Sequence, residues 1–383
     1  MYFYLQQFLR CRTKSPIISL PPLSLHNKRK SQGSVVIAYI TWPFQEGYNA
    51  PRARGHTNAF EVITMAKIYQ ELGCHVNIID YNDRHYKPPS DCRLAIDLHG
   101  QLEKWDTLLP KACQRILHAT GPHWLLSNHA ELTRLAAIRD RRGVVLLPQR
   151  QTAPSHSAAY TDHIVVLGNE YTMGSFQFAN KPITRIPLSS AYEFNYPKER
   201  DVSLTKKNFL WLGSLGMVHK GLDLVLEAFA KMPELSLTVC GSAQNEEDFF
   251  RLYTKELLYT PNIHFHGWID MASEAFSNIA RTHAAMIYPS CAEGGAGCVI
   301  HCMHAGLIPI CTKEASVDLG DFGILIKEGS VEGVMEAARQ FSLLSAEQVE
   351  ERARASYEHV RTHHTRGIFE KNYRTFASNL LKK

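Results

Sequence analysis

The stretch FLWLGSLGMVHKGLDL, residues 209–224, contains the pattern that sets the fold of this chain. Its apolar start is typical of a buried strand, a glycine-bearing loop with Lys220 follows, and GLDLVLEAFAKM then has the apolar spacing of a helix. A strand, a loop and a helix in this order form the unit of a parallel α/β sheet. The stretch therefore predicts a doubly wound domain.

Similar units occur on both sides of this stretch. Before it, SVVIAYITW begins at residue 34 a series of apolar runs that continues through HVNIIDY, LAIDLHG, RILHATG, VVLLPQ and HIVVLGN. After it come SLTVCG, IHFHGW and AAMIYPS. The polar segment SSAYEFNYPKERDVSLTKKN has no such period and is typical of a linker. Ser345 and Gln348 have the spacing of a capping box, which predicts that a helix begins there.

The sequence thus predicts an α/β protein with two doubly wound parallel-sheet domains that face each other across a cleft. We place the first domain at 34–190, a linker at 191–206, the second domain at 207–365 and a last helix at 366–383. In such architectures ligands bind at the carboxyl ends of the strands.

Residues 1–33 differ from the remainder in charge. They hold six basic side chains and no acidic one, so the net charge of +5 becomes −1 for residues 34–383, which argues against a nucleic-acid partner. Their apolar start precedes their cations, the reverse of a secretory signal. Two interpretations stay open: a disordered or mis-assigned start, and a tail that makes peripheral contact with an anionic membrane surface. We expect this extension to lie outside the fold.

The bulk composition places the protein among ordinary globular chains. No apolar run reaches the roughly 20 residues that span a bilayer. The nine cysteines have no paired spacing, which predicts reduced thiols in a cytoplasmic protein.

Two motifs indicate chemistry. Lys220 precedes a helix, where its ammonium and the helix amides could hold a diphosphate; a solvated lysine is the alternative. The spacing fits neither a P-loop nor a complete dinucleotide fingerprint, which disfavours a dehydrogenase. In PSCAEGGAGCVIHCMHAG, residues 289–306, Gly294, Gly295 and Gly297 precede a helix. Glu293 beside them is suited to accept hydrogen bonds from sugar hydroxyls, although a capping role is the simpler alternative.

A zinc site is the other interpretation of this stretch, because Cys298, His301, Cys302 and His304 are close in sequence. Structural zinc sites usually draw ligands from two separated segments, so we expect helix packing and no metal.

Together KNFLWLGSL, HKGLDLVLEAF, SLTVCGSA, NIHFHGWI and AAMIYPSCAEGGAGCVIHCMHAGLIPICT resemble the retaining glycosyltransferases of the GT4 type, most strongly over residues 207–326. The resemblance implies a GT-B architecture of two Rossmann-like domains, a nucleotide-sugar donor held mainly by the second domain, no metal, and a last helix that returns to the first domain. It implies donor contacts from Gly213, Ser214, Lys220, Ile269, Glu293, Gly294, Gly295, Ala296, Gly297 and His301.

The chain departs from that family pattern at two positions. Ser214 stands where a phosphate-binding Arg is common, and His301 stands where a ribose-binding Glu is expected, while Lys220 and Glu293 match. A neutral imidazole at 301 can still accept one ribose hydroxyl. His118 or His123 resembles a family histidine near the donor sugar, and Arg52, Arg54 and His56 are candidates for acceptor or phosphate contact.

The predicted function is transfer of a sugar from a nucleoside-diphosphate sugar to a carbohydrate or lipid-linked hydroxyl acceptor, in polysaccharide or other glycan synthesis. Lys220 and Glu293, with His118 or His123, are the predicted catalytic residues. The alternative is a GT-B protein that has lost turnover and serves as a nucleotide- or glycan-binding scaffold, a hypothesis motivated by Ser214 and His301.

Overall fold

The computed structural model describes residues 23–25, 32–47, 50, 55–197, 200–201 and 205–382. These residues form two α/β domains, each built on one largely parallel sheet with helices packed against it. The prediction of two doubly wound, Rossmann-like domains is confirmed.

The first domain contains a seven-stranded sheet. Its strands are Leu23–Leu25 (β1), Ser34–Tyr39 (β2), His75–Asp80 (β3), Cys92–Asp97 (β4), Gln114–Ala119 (β5), His163–Val166 (β6) and Ile183–Arg185 (β7). They lie in the order β1-β3-β2-β4-β5-β6-β7, and β1 alone runs antiparallel to its neighbour. The helices are Trp42–Glu46 (α1), Thr57–Glu71 (α2), Leu102–Trp105 (α3), Trp124–Arg142 (α4) and Glu170–Gly174 (α5).

The second domain contains a six-stranded parallel sheet. Its strands are Asn208–Gly213 (β8), Ser236–Gly241 (β9), Ile263–Gly267 (β10), Ala285–Tyr288 (β11), Ile308–Cys311 (β12) and Ile324–Leu325 (β13), in the order β10-β9-β8-β11-β12-β13. Its helices are Leu222–Phe229 (α6), Glu247–Leu252 (α7), Thr254–Tyr259 (α8), Glu274–Thr282 (α9), Gly297–His304 (α10), Val331–Ser342 (α11) and Ala346–His363 (α12), and the last helix of the chain is Arg366–Leu381 (α13).

The sequence patterns explain where these elements form. All six residues of β2 are buried, as expected for a central strand covered on both faces. Helix α12 begins with the predicted capping box, in which Ser345 accepts from the Gln348 amide and the Gln348 side chain accepts from the Ser345 amide. In α13, Phe369 and Tyr373 pack against Phe60 and Tyr69 of α2, so the last helix lies on the first domain.

Two expectations about chain segments were wrong. The segment VVLLPQ is not a strand; residues 144–149 run irregularly over the surface, with Val145 74% exposed. The extension also does not lie wholly outside the fold. Leu23–Leu25 pairs with β3 as an edge strand, because Leu23 and Leu25 pack against the core while Ser24 bonds Asn77. Residues 1–22 and 26–31 lie outside the described part, as do Arg52 and Arg54.

The two domains are joined by charged contacts as well as by the chain. Arg141 of α4 lies 2.8 Å from Asp223 of α6, and Arg142 lies 2.6 Å from Glu256 of α8. These pairs hold α4 against the second domain beside the cleft. Among the described helices, none is long and apolar enough to cross a membrane.

Candidate functional site

A cleft of about 510 Å³ lies between the two domains. Its walls come from the loops that follow the strands of both sheets, where a doubly wound architecture is expected to bind ligands. The predicted donor-binding residues Gly213, Ser214, Lys220, Ile269, Glu293, Gly294, Gly295, Ala296, Gly297 and His301 all line it. Folding therefore brings these separate motifs to one surface.

A buried ion pair forms the floor of this cleft. The Lys220 ammonium lies 2.6 Å from Oε1 of Glu293, with side-chain exposures of 7% and 13%. The Tyr288 hydroxyl donates to the same Oε1 at 3.0 Å and accepts from Lys220 at 3.0 Å. Among the described residues no hydrogen bond reaches Oε2 of Glu293, so this oxygen remains available to a ligand in the cleft.

The electrostatic surroundings keep Glu293 ionised. Burial alone would raise the pKa of this carboxyl, but the charges of Lys220, His219 and Arg150 lower it to about 2. An ionised carboxylate only accepts hydrogen bonds. Glu293 is therefore suited to bind neutral hydroxyl groups.

Hydrogen bonds from the loop after β8 fix the segment that carries Glu293. His219 is bonded through Nε2 to the Ala292 carbonyl oxygen, and its own carbonyl accepts from the Cys291 amide at 2.9 Å. The indole of Trp211 donates to the Lys220 carbonyl at 3.3 Å. These bonds tie the loop after β11 to the loop after β8, so the ion pair is held by both.

The glycine turn after Glu293 has a more specific role than sequence reasoning gave it. A Cβ on Gly294 would lie 2.1 Å from the Thr120 carbonyl oxygen, so the first domain's backbone, not a ligand, demands glycine here. Gly295 has a φ of 93°, a conformation that favours glycine. The described structure contains no acceptor for the amides of Gly294, Gly295 and Gly297, so these donors remain available to a ligand.

Two helix N-termini meet at this turn. Helix α10 begins at Gly297, and α2 of the first domain begins at Thr57, whose hydroxyl lies 3.7 Å from where a Gly297 Cβ would be. Both helix starts line the cleft. Because a helix N-terminus carries partial positive charge and unpaired amides, the pair favours an anion between the domains.

The glycine-bearing loop after β8 contributes differently. Its Gly216 and Met217 amides already donate to the carboxylate of Glu246, so they are not free for a phosphate. Gly213, Ser214 and Lys220 still face the cleft. The loop therefore offers the Lys220 side chain and the Ser214 hydroxyl rather than a ring of amides.

His301 lines the cleft but cannot accept a ribose hydroxyl as expected. Its Nε2 already accepts a hydrogen bond from the Ala191 amide at 3.0 Å. Burial lowers the pKa of His301 to about 3, so the ring is neutral and its other nitrogen carries a proton. Through that nitrogen the ring can only donate, and its bond from the Ala191 amide fixes the linker to α10.

Neither candidate histidine of the first domain lines the cleft. His118 is fully buried between Tyr39 and Tyr373, because its position on β5 points into the core under α13. His123 caps α4 by accepting from the Leu125 amide and packs against Phe176 and Phe178. Thr120, from the same loop, does reach the cleft.

Of the three acceptor-side candidates, His56 can be located. It precedes α2, lines the cleft and packs edge-on against Trp42 with ring centroids 5.5 Å apart. Arg52 and Arg54 lie outside the described residues.

Sequence reasoning missed several residues of the cleft, among them Tyr288, Trp268 and Arg150. Tyr288 ends a buried strand and looks like core; Trp268, 68% exposed, follows the strand IHFHG; Arg150 follows the segment mistaken for a strand. An aromatic side chain directly after a strand of the second sheet was the one available signal, and it applies to Trp268.

Side chains that could bind a metal ion come together at a different place in the fold. In the described part of the chain, one group of three potential ligands occurs, formed by Asp318, His359 and His364. None of these residues lines the cleft, and Asp318 is already paired with Arg185 at 2.5 Å. The cysteines and histidines of α10 form no such group among the described residues.

The comparisons with known proteins agree with this geometry. Residues 206–342 match the family model described as Glycosyl transferases group 1. No curated protein matches the sequence. Several solved structures share the architecture.

A complex of a mutant S. aureus TarM with Fondaparinux, alpha-GlcNAc-glycerol and UDP is 13% identical over 76% of this chain and 55% of that chain, with a TM-score of 0.53. Anabaena Alr3699/HepE in complex with UDP and glucose is 10% identical over 90% of this chain and 99% of that one, with a TM-score of 0.56. WaaG, a glycosyltransferase involved in lipopolysaccharide biosynthesis, is 15% identical over 89% and 98%, with a TM-score of 0.54.

At these identities the likeness shows the fold, and the fold is GT-B. The chain spans about half the length of TarM, since it covers 55% of that protein. Its second domain contains the glycosyl transferases group 1 match.

Proposed function

We propose that the protein is a retaining glycosyltransferase of the GT4 type, which moves a sugar from a nucleoside-diphosphate sugar to a hydroxyl group of a carbohydrate or lipid-linked acceptor. The observation that carries the proposal is the Lys220–Glu293 pair at the floor of the interdomain cleft. It places a cation and an acceptor oxygen beside unpaired glycine amides and two helix N-termini.

The two halves of the pair suit the two halves of a nucleotide sugar. Oε2 of Glu293 can accept hydrogen bonds from sugar hydroxyls. Lys220 and the amides of Gly294 and Gly295 can stabilise the charge that develops on the departing diphosphate, which is often the largest single catalytic contribution. The anion and the neutral sugar are thus bound by adjacent but chemically different groups.

The reaction forms a bond between the acceptor oxygen and the anomeric carbon and breaks the bond from that carbon to the diphosphate. The acceptor proton passes to the leaving diphosphate oxygen. Attack from the face that the diphosphate leaves gives retention, so the paired carboxylates of a glycosidase are not required. The close approach of Thr120 to Gly294 favours exclusion of water, which would otherwise hydrolyse the donor.

The proposed chemistry uses no metal ion. Lys220 and the helix N-termini supply positive charge in the cleft. We therefore expect transfer to continue after treatment with EDTA. We also propose that the reaction belongs to glycan synthesis and takes place in the cytoplasm. Contact of the N-terminal extension, residues 1–33, with a membrane is a separate proposal. It is tested by liposome binding of the full chain and of a chain that lacks residues 1–22, which keeps the edge strand β1.

The first test measures the thermal stability of the purified protein in the presence of UDP, GDP, ADP, CDP or NAD. UDP is the nucleotide in the TarM and HepE complexes, so it is the first probe. A ligand at about 100 times its Kd adds roughly 2.7 kcal/mol to the folded state. A rise with one nucleoside diphosphate, lost in Lys220→Ala, supports the proposal; sugar transfer is then measured with that donor class.

The competing function is a scaffold that binds without turnover. The bond between Ala191 and His301 favours it, since that histidine is already used to hold the linker. Donor binding without detectable transfer to any of a panel of glycan acceptors, and without slow donor hydrolysis, would support the scaffold. Transfer by the purified protein would remove it.

A further inference from the structure

Among the described residues that line the cleft, one cation is not neutralised by the Lys220–Glu293 pair. Arg150 and Lys220 are the Lys or Arg side chains among the described residues that line the cleft. Lys220 already faces the Glu293 carboxylate at 2.6 Å, so the two together carry no net charge. A diphosphate brings at least two negative charges into this space and needs an additional positive group.

The guanidinium of Arg150 is unpaired in the described structure. Its hydrogen bonds all come from its backbone amide, which donates to Oε1 and Oε2 of Glu131 at 2.9 and 3.2 Å. The residue is exposed, and no carboxylate of the described residues forms an ion pair with it. An arginine in this state retains its bidentate donor geometry, which matches phosphate oxygens.

The backbone that carries Arg150 is held firmly although it is irregular. Glu131 of α4 is 1% exposed, and its carboxylate also accepts from the Gln149 amide at 2.9 Å and from the Gln151 side chain at 2.7 Å. One buried carboxylate thus fixes three consecutive residues. The segment 144–149 was expected to be a strand; it is irregular and leads to the fixed backbone that presents the Arg150 side chain.

The stem of Arg150 crosses from the first domain to the second. Its Cγ and Cδ lie 2.6 and 2.9 Å from the place that a Cβ on Gly216 would occupy. Gly216 has a φ of 93°, so it suits the turn as well as the space over it. The guanidinium is thereby brought over the loop that presents Ser214 and Lys220. Burial is the main cause of the lowered pKa of His219, and the charge of Arg150 lowers that pKa further. The charges of Lys220 and His219, and after them that of Arg150, lower the pKa of Glu293, so Arg150 acts on the same site.

We propose that Arg150 of the first domain binds the diphosphate of the donor across the cleft, together with Lys220 and the Gly294–Gly297 turn of the second domain. The inference rests on the proposed function and deepens it, because it makes diphosphate binding depend on both domains. Ser214 offers a neutral hydroxyl on the second-domain side, and Arg150 supplies the charge from the opposite wall.

The test compares UDP with uridine by calorimetry on the full chain. Arg150→Gln is expected to weaken UDP binding by about tenfold to a hundredfold, the range for a hydrogen bond to a charged group, and to leave uridine binding unchanged. Arg150→Lys is expected to fall between the two, since it keeps the charge and loses the bidentate fork. Arg139→Gln is the matched control, because Arg139 lies on α4 of the same domain and pairs with Asp140 away from the cleft.

The outcomes separate the two levels of the proposal. If Arg150→Gln binds UDP as tightly as the unaltered protein while Lys220→Ala does not, the role of Arg150 is overturned and the proposed function stands. If Arg150→Gln weakens uridine and UDP equally, its effect lies on the shape of the cleft and the inference fails. If the unaltered protein binds neither UDP nor the other nucleoside diphosphates, the proposed function fails first.

Discussion

The ammonium of Lys220 lies 2.6 Å from Oε1 of Glu293, although 73 positions separate the two residues along the chain. Lys220 precedes α6, and Glu293 follows β11, so the two side chains meet only after two strands of one sheet have paired. The phenol of Tyr288 completes the group. The cleft thus contains a preorganised acceptor and a cation before any donor arrives.

The first prediction concerns the energy of this pair. Lys220→Met leaves the Glu293 carboxylate buried without its nearest cation, and breaking a buried pair costs about 3 to 5 kcal/mol. Lys220→Met/Glu293→Gln removes both charges and is expected to recover a large part of that loss. Unfolding in urea of the two single variants and the double variant measures the coupling. Equal losses that simply add in the double variant would show that water already screens the pair.

The second prediction concerns pH. Burial lowers the pKa of His118 to about 4 and that of His301 to about 3, and burial also lowers the pKa of His364 to about 4. Unfolded histidines titrate near 6.5, so below that pH the unfolded chain binds more protons than the folded one. The contribution of these neutral rings to the free energy of unfolding is fully present above about pH 6.5, and it is lost as the pH falls toward 4. We expect Tm to fall steadily between pH 7 and pH 5.

His118→Phe is the matched variant for this effect. Neither ring nitrogen of His118 has a hydrogen-bond partner in the described structure, so phenylalanine removes a titrating group without breaking a bond. The fall in Tm between pH 7 and pH 5 should become shallower in the variant. An unchanged slope would mean that His118 is hydrated and titrates normally in the folded protein.

The third prediction separates the cleft from its surroundings. His118 is buried under α13 and His123 caps α4, so neither side chain touches the ligand. His118→Phe and His123→Asn should therefore keep donor affinity and turnover within about threefold of the unaltered protein. Glu293→Gln should lose turnover by about a hundredfold, since it removes a charged acceptor for the sugar. Steady-state kinetics with the donor found by the thermal screen provides the comparison. A loss of turnover in His123→Asn comparable to that in Glu293→Gln would restore that histidine to the reaction.

Much of the fold follows from the sequence because apolar runs and glycine-bearing turns alternate along the chain. VVLLPQ shows the limit of that signal. It is as apolar as a strand, but the buried carboxylate of Glu131 captures the amides of Gln149 and Arg150. That capture joins residues about 20 positions apart, and no local pattern encodes it.

The functional site likewise contains residues that a local motif predicts and residues whose role depends on contacts distant in sequence. Lys220, Glu293 and the glycine turn were predictable, since each motif carries its own chemistry. The role of His301 was not, because its acceptor nitrogen is taken by Ala191 of the linker, 110 residues away in sequence. His118 and Thr120 lie two positions apart at the end of β5, and only the structure shows that the histidine points into the core while Thr120 reaches the cleft.

The last prediction uses the contact between Gly294 and Thr120. A Cβ on Gly294 would lie 2.1 Å from the Thr120 carbonyl oxygen, whereas a Cβ on Gly121, the residue after Thr120, would meet no described atom within 4 Å. Gly294→Ala must therefore push the domains apart at the cleft, while Gly121→Ala fits into open space outside the cleft lining. Because a displacement of about 1 Å can cost two orders of magnitude in rate, we expect turnover to fall about a hundredfold in Gly294→Ala and by less than about threefold in Gly121→Ala.

Small-angle scattering with and without donor supplies the second readout. Gly294→Ala should remain more open than Gly121→Ala at saturating donor, since the clash lies between the domains and not within either of them. If both alanine variants keep full turnover, the approach of Thr120 to Gly294 is not required for transfer, and exclusion of water must come from another part of the cleft.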